Sequence, residues 1–130
     1  MERRGVKILK KDKSVIEGAF DTTPPQSRDF QGANILRCYV DTNTPKGGDS
    51  GHGGLTMFAL DNLAGTDWTL YVQTDDEKMA KFDSPELKYF KIVLSGDSEC
   101  KTLADALIWA GETLKARIAE NETLQKRKKP

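Results

Sequence analysis

The apolar residues of this chain change their spacing once, and that change constrains the fold more than any other feature. Up to Leu94 they fall in short runs broken by polar, proline- or glycine-containing segments. From Leu103 onward, Leu103, Leu107, Ala110, Leu114 and Ile118 recur at helical spacing, and Ala104, Ala106 and Ile108 widen the stripe. Short β-rich runs read as strands, and a 3.6-residue period reads as an amphipathic helix. The connections between the runs are short, which favours antiparallel pairing, because parallel strands need long crossovers. The expected fold is therefore α+β, an antiparallel β-sheet packed against one long C-terminal helix.

The runs can be placed one by one. Val6–Lys10 and Ser14–Phe20 flank a polar turn and read as a hairpin. The segment 21–30 contains Pro24 and Pro25 and reads as a loop. Strands are expected at 33–41, 55–61, 68–73 and, last, 89–94, with an acidic irregular stretch over 74–86. Thr102 and Asp105 are the expected capping pair of the helix. The 130 residues suit one domain. It spans 1–124 in this reading, and 125–130, Gln-Lys-Arg-Lys-Lys-Pro, is a basic disordered tail.

Between two of the strands lies Thr44-Pro-Lys-Gly-Gly-Asp-Ser-Gly-His-Gly-Gly54, with five glycines between 47 and 54. Glycine is used where the backbone takes positive φ or approaches something closely. Successive N–H groups in such loops form concave anion sites. Lys46, Gly47, Gly48, Asp49, Ser50, Gly51 and His52 are accordingly the candidate ligand-binding residues of the loop. The bland alternative is a plain strand connection. Gly-x-x-x-x-Gly-Lys-Ser/Thr is absent and a strand follows, so the loop is neither a Walker P-loop nor a dinucleotide fingerprint. Gly48-Asp49-Ser50-Gly51 resembles the nucleophile loop of chymotrypsin-like proteases over four residues. That family needs a histidine upstream of the serine, and the single histidine, His52, follows it. Asp49 could orient His52 as an acid–base pair, but a lone histidine more often bonds to loop backbone.

Outside the loop, Arg37 sits inside an apolar strand and calls for an acidic neighbour or an anionic ligand. Arg28 flanks the same strand. Trp68 and Tyr71 offer stacking surfaces for a base, with core packing as the alternative. Trp109 lies off the main helix stripe, a position suited to a helix edge or a subunit interface. Cys38 and Cys100 form no CxxC pair and read as reduced thiols of a cytosolic protein. Twenty basic residues balance twenty acidic ones, which argues against a duplex-nucleic-acid binder and permits self-association. No leader and no apolar run near membrane-spanning length is visible, so a cytoplasmic protein is expected.

The Thr44–Gly54 segment, leading into an apolar strand, resembles a segment of small bacterial and phage proteins, over less than a third of the chain. The plan of a compact sheet plus a C-terminal helix is similar to that of phage anti-defence sponges, the Thoeris anti-defence and anti-CBASS proteins. This resemblance implies sequestration, without cleavage, of a cyclic-nucleotide or cyclic ADP-ribose immune signal in the host cytoplasm. It carries over no binding residue. The function expected from the sequence is thus non-enzymatic binding of a small anionic, nucleotide-like ligand by a homo-oligomer, with no cofactor and no metal. The alternatives are a phosphoester hydrolase using Asp49 and His52, and a structural or adaptor protein with no small ligand.

Overall fold

Residues 25–75 and 78–128 are described by a computed structural model of the chain. The order of elements is β1 (Gln26–Gln31), β2 (Ile35–Thr42), β3 (Leu55–Ala64), β4 (Thr69–Gln73), β5 (Met79–Asp83), β6 (Tyr89–Ser95) and α1 (Asp97–Lys128). The expected α+β fold of antiparallel strands and one long C-terminal helix is the fold observed. β1, β2, β3 and β6 form one sheet in that order, and β4 and β5 form a separate hairpin. Every pairing is antiparallel. The expected hairpin over 6–20 lies outside the described residues.

Three expectations need correction. The loop expected over 21–30 holds strand β1, because the tandem prolines precede the strand rather than interrupt it. Gln26–Gln31 is free to donate to β2. The acidic stretch 74–86 holds β5, where Met79, Ala80 and Phe82 supply apolar groups between charges. α1 begins at Asp97, five residues before the expected capping pair. Thr102 therefore lies inside the helix, its hydroxyl donating to the Ser98 carbonyl at 2.9 Å. At the other end the helix runs to Lys128, into the expected tail.

Strand alternation sorts the sheet into two faces. The registers align Gln26, Arg28 and Phe30 with Cys38 and Val40, and then with Thr56, Phe58, Leu60, Phe90, Ile92 and Leu94. This is the apolar face, and the first half of α1 lies over one end of it. Across the sheet sit Asp29, Arg37, Tyr39, Asp41, Met57, Ala59, Asp61, Tyr89 and Lys91. Met57 and Ala59 on central strand β3 are fully buried.

The β4–β5 hairpin is tied to the sheet through Trp68. Its indole packs on Phe90 with ring centroids 5.7 Å apart, and its Nε1–H donates to the Leu87 carbonyl at 2.6 Å. Ser84 closes the hairpin base by accepting the Trp68 amide at 3.0 Å. Such anchoring matters because a two-stranded ribbon is marginal on its own.

Candidate functional site

The glycine-rich loop does not stand free. It folds back on the start of α1, and its amides converge on the carboxylate of Asp97. The amides of Lys46, Gly47 and Gly54 donate to that carboxylate at 3.0, 2.7 and 2.9 Å. In return the Asp97 amide donates to the Gly48 carbonyl at 2.8 Å. Asp49 reaches the other way, its carboxylate accepting the Ser98 amide at 2.7 Å, which caps α1. Ser50 donates through its amide and its hydroxyl to the Glu99 carboxylate, at 3.2 and 3.3 Å. The Gly51 amide donates to the Ser95 carbonyl and the Gly96 amide to the Gly54 carbonyl.

This geometry needs unusual backbone. Ser50 has φ +50°, and Gly53 has φ +95°. A Cβ on Gly53 would lie 2.5 Å from the Gly48 carbonyl oxygen and 2.9 Å from an Asp97 carboxylate oxygen. The concave amide array is the one the glycine pattern implies, but the anion it holds is the chain's own Asp97. Donation from Gly54 first, then from Lys46 and Gly47, keeps the Asp97 carboxyl below the ordinary aspartate pKa.

The remaining sequence candidates separate. Arg37 is paired with Asp29 on β1, with Nε to Oδ1 at 2.6 Å and a second bond at 3.1 Å. This bidentate pair lowers the Asp29 pKa, the Arg37 hydrogen bond being the main cause. It lies on the face away from α1. Arg28 lies on the apolar face instead, its guanidinium 5.3 Å from the centre of the Phe30 ring. Trp68 is the hairpin anchor described above, and Tyr71 is exposed on β4. The structure therefore does not gather Arg28, Arg37, Trp68, Tyr71 and the loop at one point. Asp49 is engaged with α1, while His52 is exposed and its amide donates to the Asp49 carbonyl. Among the described residues no cluster of His, Cys, Asp and Glu could hold a metal ion, and no helix is long and apolar enough to cross a membrane.

A cleft of about 340 Å³ opens between α1 and the apolar face, beside the loop's first residues. Val40, Leu103, Ala104 and Leu107 give it apolar walls, and Gln26, Asp41, Thr42, Thr56 and Cys100 give it polar groups. The Thr42 hydroxyl lies 2.9 Å from both the Thr44 and the Thr56 hydroxyls. Thr42, Thr56 and Cys100 line the same cleft. Thr56 foremost, then Thr44 and Thr42, lower the Cys100 pKa by hydrogen bonding to the thiolate. Cys100 also lies in the first turns of α1, where the helix dipole favours a negative charge. Burial pushes the Cys38 thiol the other way. Alkylation with iodoacetamide at pH 8 should therefore modify Cys100 several-fold faster than Cys38, read by peptide mass spectrometry. Equal rates would contradict this assignment.

None of Thr42, Thr44, Thr56 or Cys100 stands out in the sequence. The available signal is the clustering of threonines at two facing strand ends, 42 and 44 against 56. It becomes meaningful only once the register sets Thr42 opposite Thr56. Compared with protein-family models, with curated proteins and with solved structures, the chain matches none.

Proposed function

We propose that this protein binds and sequesters a small nucleotide-like ligand in the cleft between α1 and the sheet, without cleaving it. The observation that carries this reading is the cleft itself. Its volume of about 340 Å³ falls at the lower end of small-molecule sites. Its walls are apolar with a few convergent polar groups, the usual makeup of such sites. Val40, Leu103 and Leu107 suit the faces of a heterocycle. The Thr42 and Thr56 hydroxyls, the Gln26 amide and the Asp41 carboxylate suit sugar hydroxyls and base edges. Arg28 lies two residues along β1 from Gln26 on the same face, and by swinging off the Phe30 ring it would bring a cation to the cleft edge for a phosphate.

This reading moves the binding site from the loop to the cleft. The amides of Lys46, Gly47 and Gly54 already serve Asp97, and an incoming phosphate would meet a carboxylate there. The loop then acts as a clasp that fixes the start of α1 and, with it, the far wall of the cleft. Asp49 is committed to the helix cap, which takes the acid out of an Asp49–His52 hydrolytic pair.

The resemblance in layout to phage anti-defence sponges suggests the first probes, cyclic dinucleotides and cyclic ADP-ribose. Calorimetry should show binding, and heating the complex should release the ligand intact. Recovery of a cleaved product would overturn sequestration. Bound ligand should also slow alkylation of Cys100 and leave Cys38 unchanged. Thr42→Val removes one cleft hydroxyl and Arg28→Ala the nearby cation, and each should weaken binding about tenfold or less, the worth of one hydrogen bond. Binding that both variants leave unchanged would place the ligand elsewhere.

A further inference from the structure

We propose that the ligand of the cleft carries two nucleobases, the second of which stacks on Phe30 outside the cleft. This inference rests on the nucleotide reading of the cleft and adds a second subsite to it. The cleft holds about 340 Å³, at the lower end of small-molecule sites, so a second nucleotide has to lie beyond its rim. β1 contributes Gln26 to the lining. Strand alternation puts Gln26, Arg28 and Phe30 on one face of the sheet, in a line along β1. At about 3.4 Å per residue, Arg28 lies about 7 Å from Gln26 and Phe30 about 14 Å.

The line presents an amide at the cleft, then a cation, then an aromatic ring. Phe30 is 54% exposed. The Arg28 guanidinium lies over its ring, 5.3 Å from the centre. Among the described residues no carboxylate pairs with Arg28, and its neighbour Asp29 lies on the other face, held by Arg37. An exposed ring topped by a guanidinium without an acid fits a ligand that is anionic and also carries a flat π-face. A purely apolar partner would leave the cation unmatched, and a bare phosphate would leave the ring uncovered.

The two groups act as a pair. When Arg28 swings to the phosphate between two nucleotides it uncovers the Phe30 ring, and the second base takes its place there. Bases stacked on one another lie about 3.4 Å apart. Gln26 and Phe30 are about 14 Å apart, so the two bases are splayed, the arrangement in which unstacked bases are held on aromatic side chains. A ligand with one base engages Arg28 through its phosphate and leaves Phe30 bare.

Calorimetry of the full chain with matched probes tests this: cyclic di-AMP against cyclic AMP, and cyclic di-GMP against cyclic GMP. In at least one pair the dinucleotide should bind at least tenfold more tightly than the mononucleotide. Phe30→Leu keeps an apolar group on an edge strand and removes the ring, and circular dichroism should show the fold unchanged. It should weaken dinucleotide binding about tenfold, the worth of one base stacked on an aromatic side chain, and leave mononucleotide binding as it was. Phe30→Tyr, which keeps the ring, should bind like the wild type. Equal affinities within each pair, or a dinucleotide affinity that Phe30→Leu leaves unchanged, would overturn the second subsite and leave the cleft reading standing. So would tight binding of cyclic ADP-ribose, which has a single base, together with no binding of either dinucleotide. Failure of every probe to bind would overturn the cleft reading and this inference with it.

Discussion

Asp97→Ala should lower the melting temperature by about 10 °C, and Asp97→Asn by roughly half as much, because one carboxylate ties the glycine-rich loop to the helix. Alanine leaves the amides of Lys46, Gly47 and Gly54 without their acceptor. Asparagine keeps an acceptor oxygen but loses the charge that strengthens each bond. It also removes a negative charge from the first turn of α1, where the dipole favours one. Amide exchange at positions 46, 47 and 54 should accelerate in both variants, which separates loss of the clasp from general unfolding.

The same residue gives a pH test. The folded-state pKa of Asp97 lies below its unfolded value, the Gly54 amide being the main cause. Its contribution is therefore fully present above the ordinary aspartate pKa, near 4, and is lost as pH falls through the lowered folded value. Wild-type stability should drop through that acid window, and the Asp97→Asn curve should be flatter there. Parallel wild-type and Asp97→Asn curves below pH 4 would remove Asp97 from the clasp.

The fold was legible where the physics is local. The 3.6-residue stripe from Leu103 to Ile118 identified α1, and the β-rich runs identified β2, β3, β4 and β6. The missing strands had local reasons to be missed. Pro24 and Pro25 masked β1, and charges at both ends masked β5. The helix start was placed late because a cap is sought among adjacent residues, whereas Asp49 caps Ser98 from 49 positions away. The loop illustrates the same limit at a finer scale. Five glycines correctly imply amides arranged around an anion, but nothing local tells a phosphate from Asp97, which reaches the loop only after β3 and β6 have paired. The acidic first turn, Asp97 and Glu99 directly after Gly96, was the one sequence clue to it. Arg37 shows the favourable case, since an arginine in an apolar strand calls for an acid and Asp29 sits opposite it in the β1–β2 register. The cleft was out of reach, because Gln26, Thr42, Thr56 and Cys100 come from four separate elements.

Gly53→Ala should cost about 3 kcal/mol, while Gly51→Ala a few residues away should cost about 1 kcal/mol. Both glycines hold positive φ, +95° at Gly53 and +98° at Gly51, so the backbone cost of a side chain is nearly the same at the two sites. Their surroundings differ. Around Gly51 a Cβ meets nothing within 4 Å, whereas at Gly53 it meets the Gly48 carbonyl oxygen at 2.5 Å. That oxygen accepts the Asp97 amide, so it cannot retreat without opening the junction between the loop and α1. Urea unfolding should therefore show a much lower midpoint for Gly53→Ala at an unchanged slope. Equal midpoints for the two variants would mean that positive φ alone, and not the close approach of Gly53 to Gly48, requires glycine. Combining Gly53→Ala with Asp97→Asn should cost clearly less than the two single changes added together, since both break the same clasp. Full additivity would instead make the loop and the helix start independent, and the far wall of the cleft would then have to be held by the sheet alone.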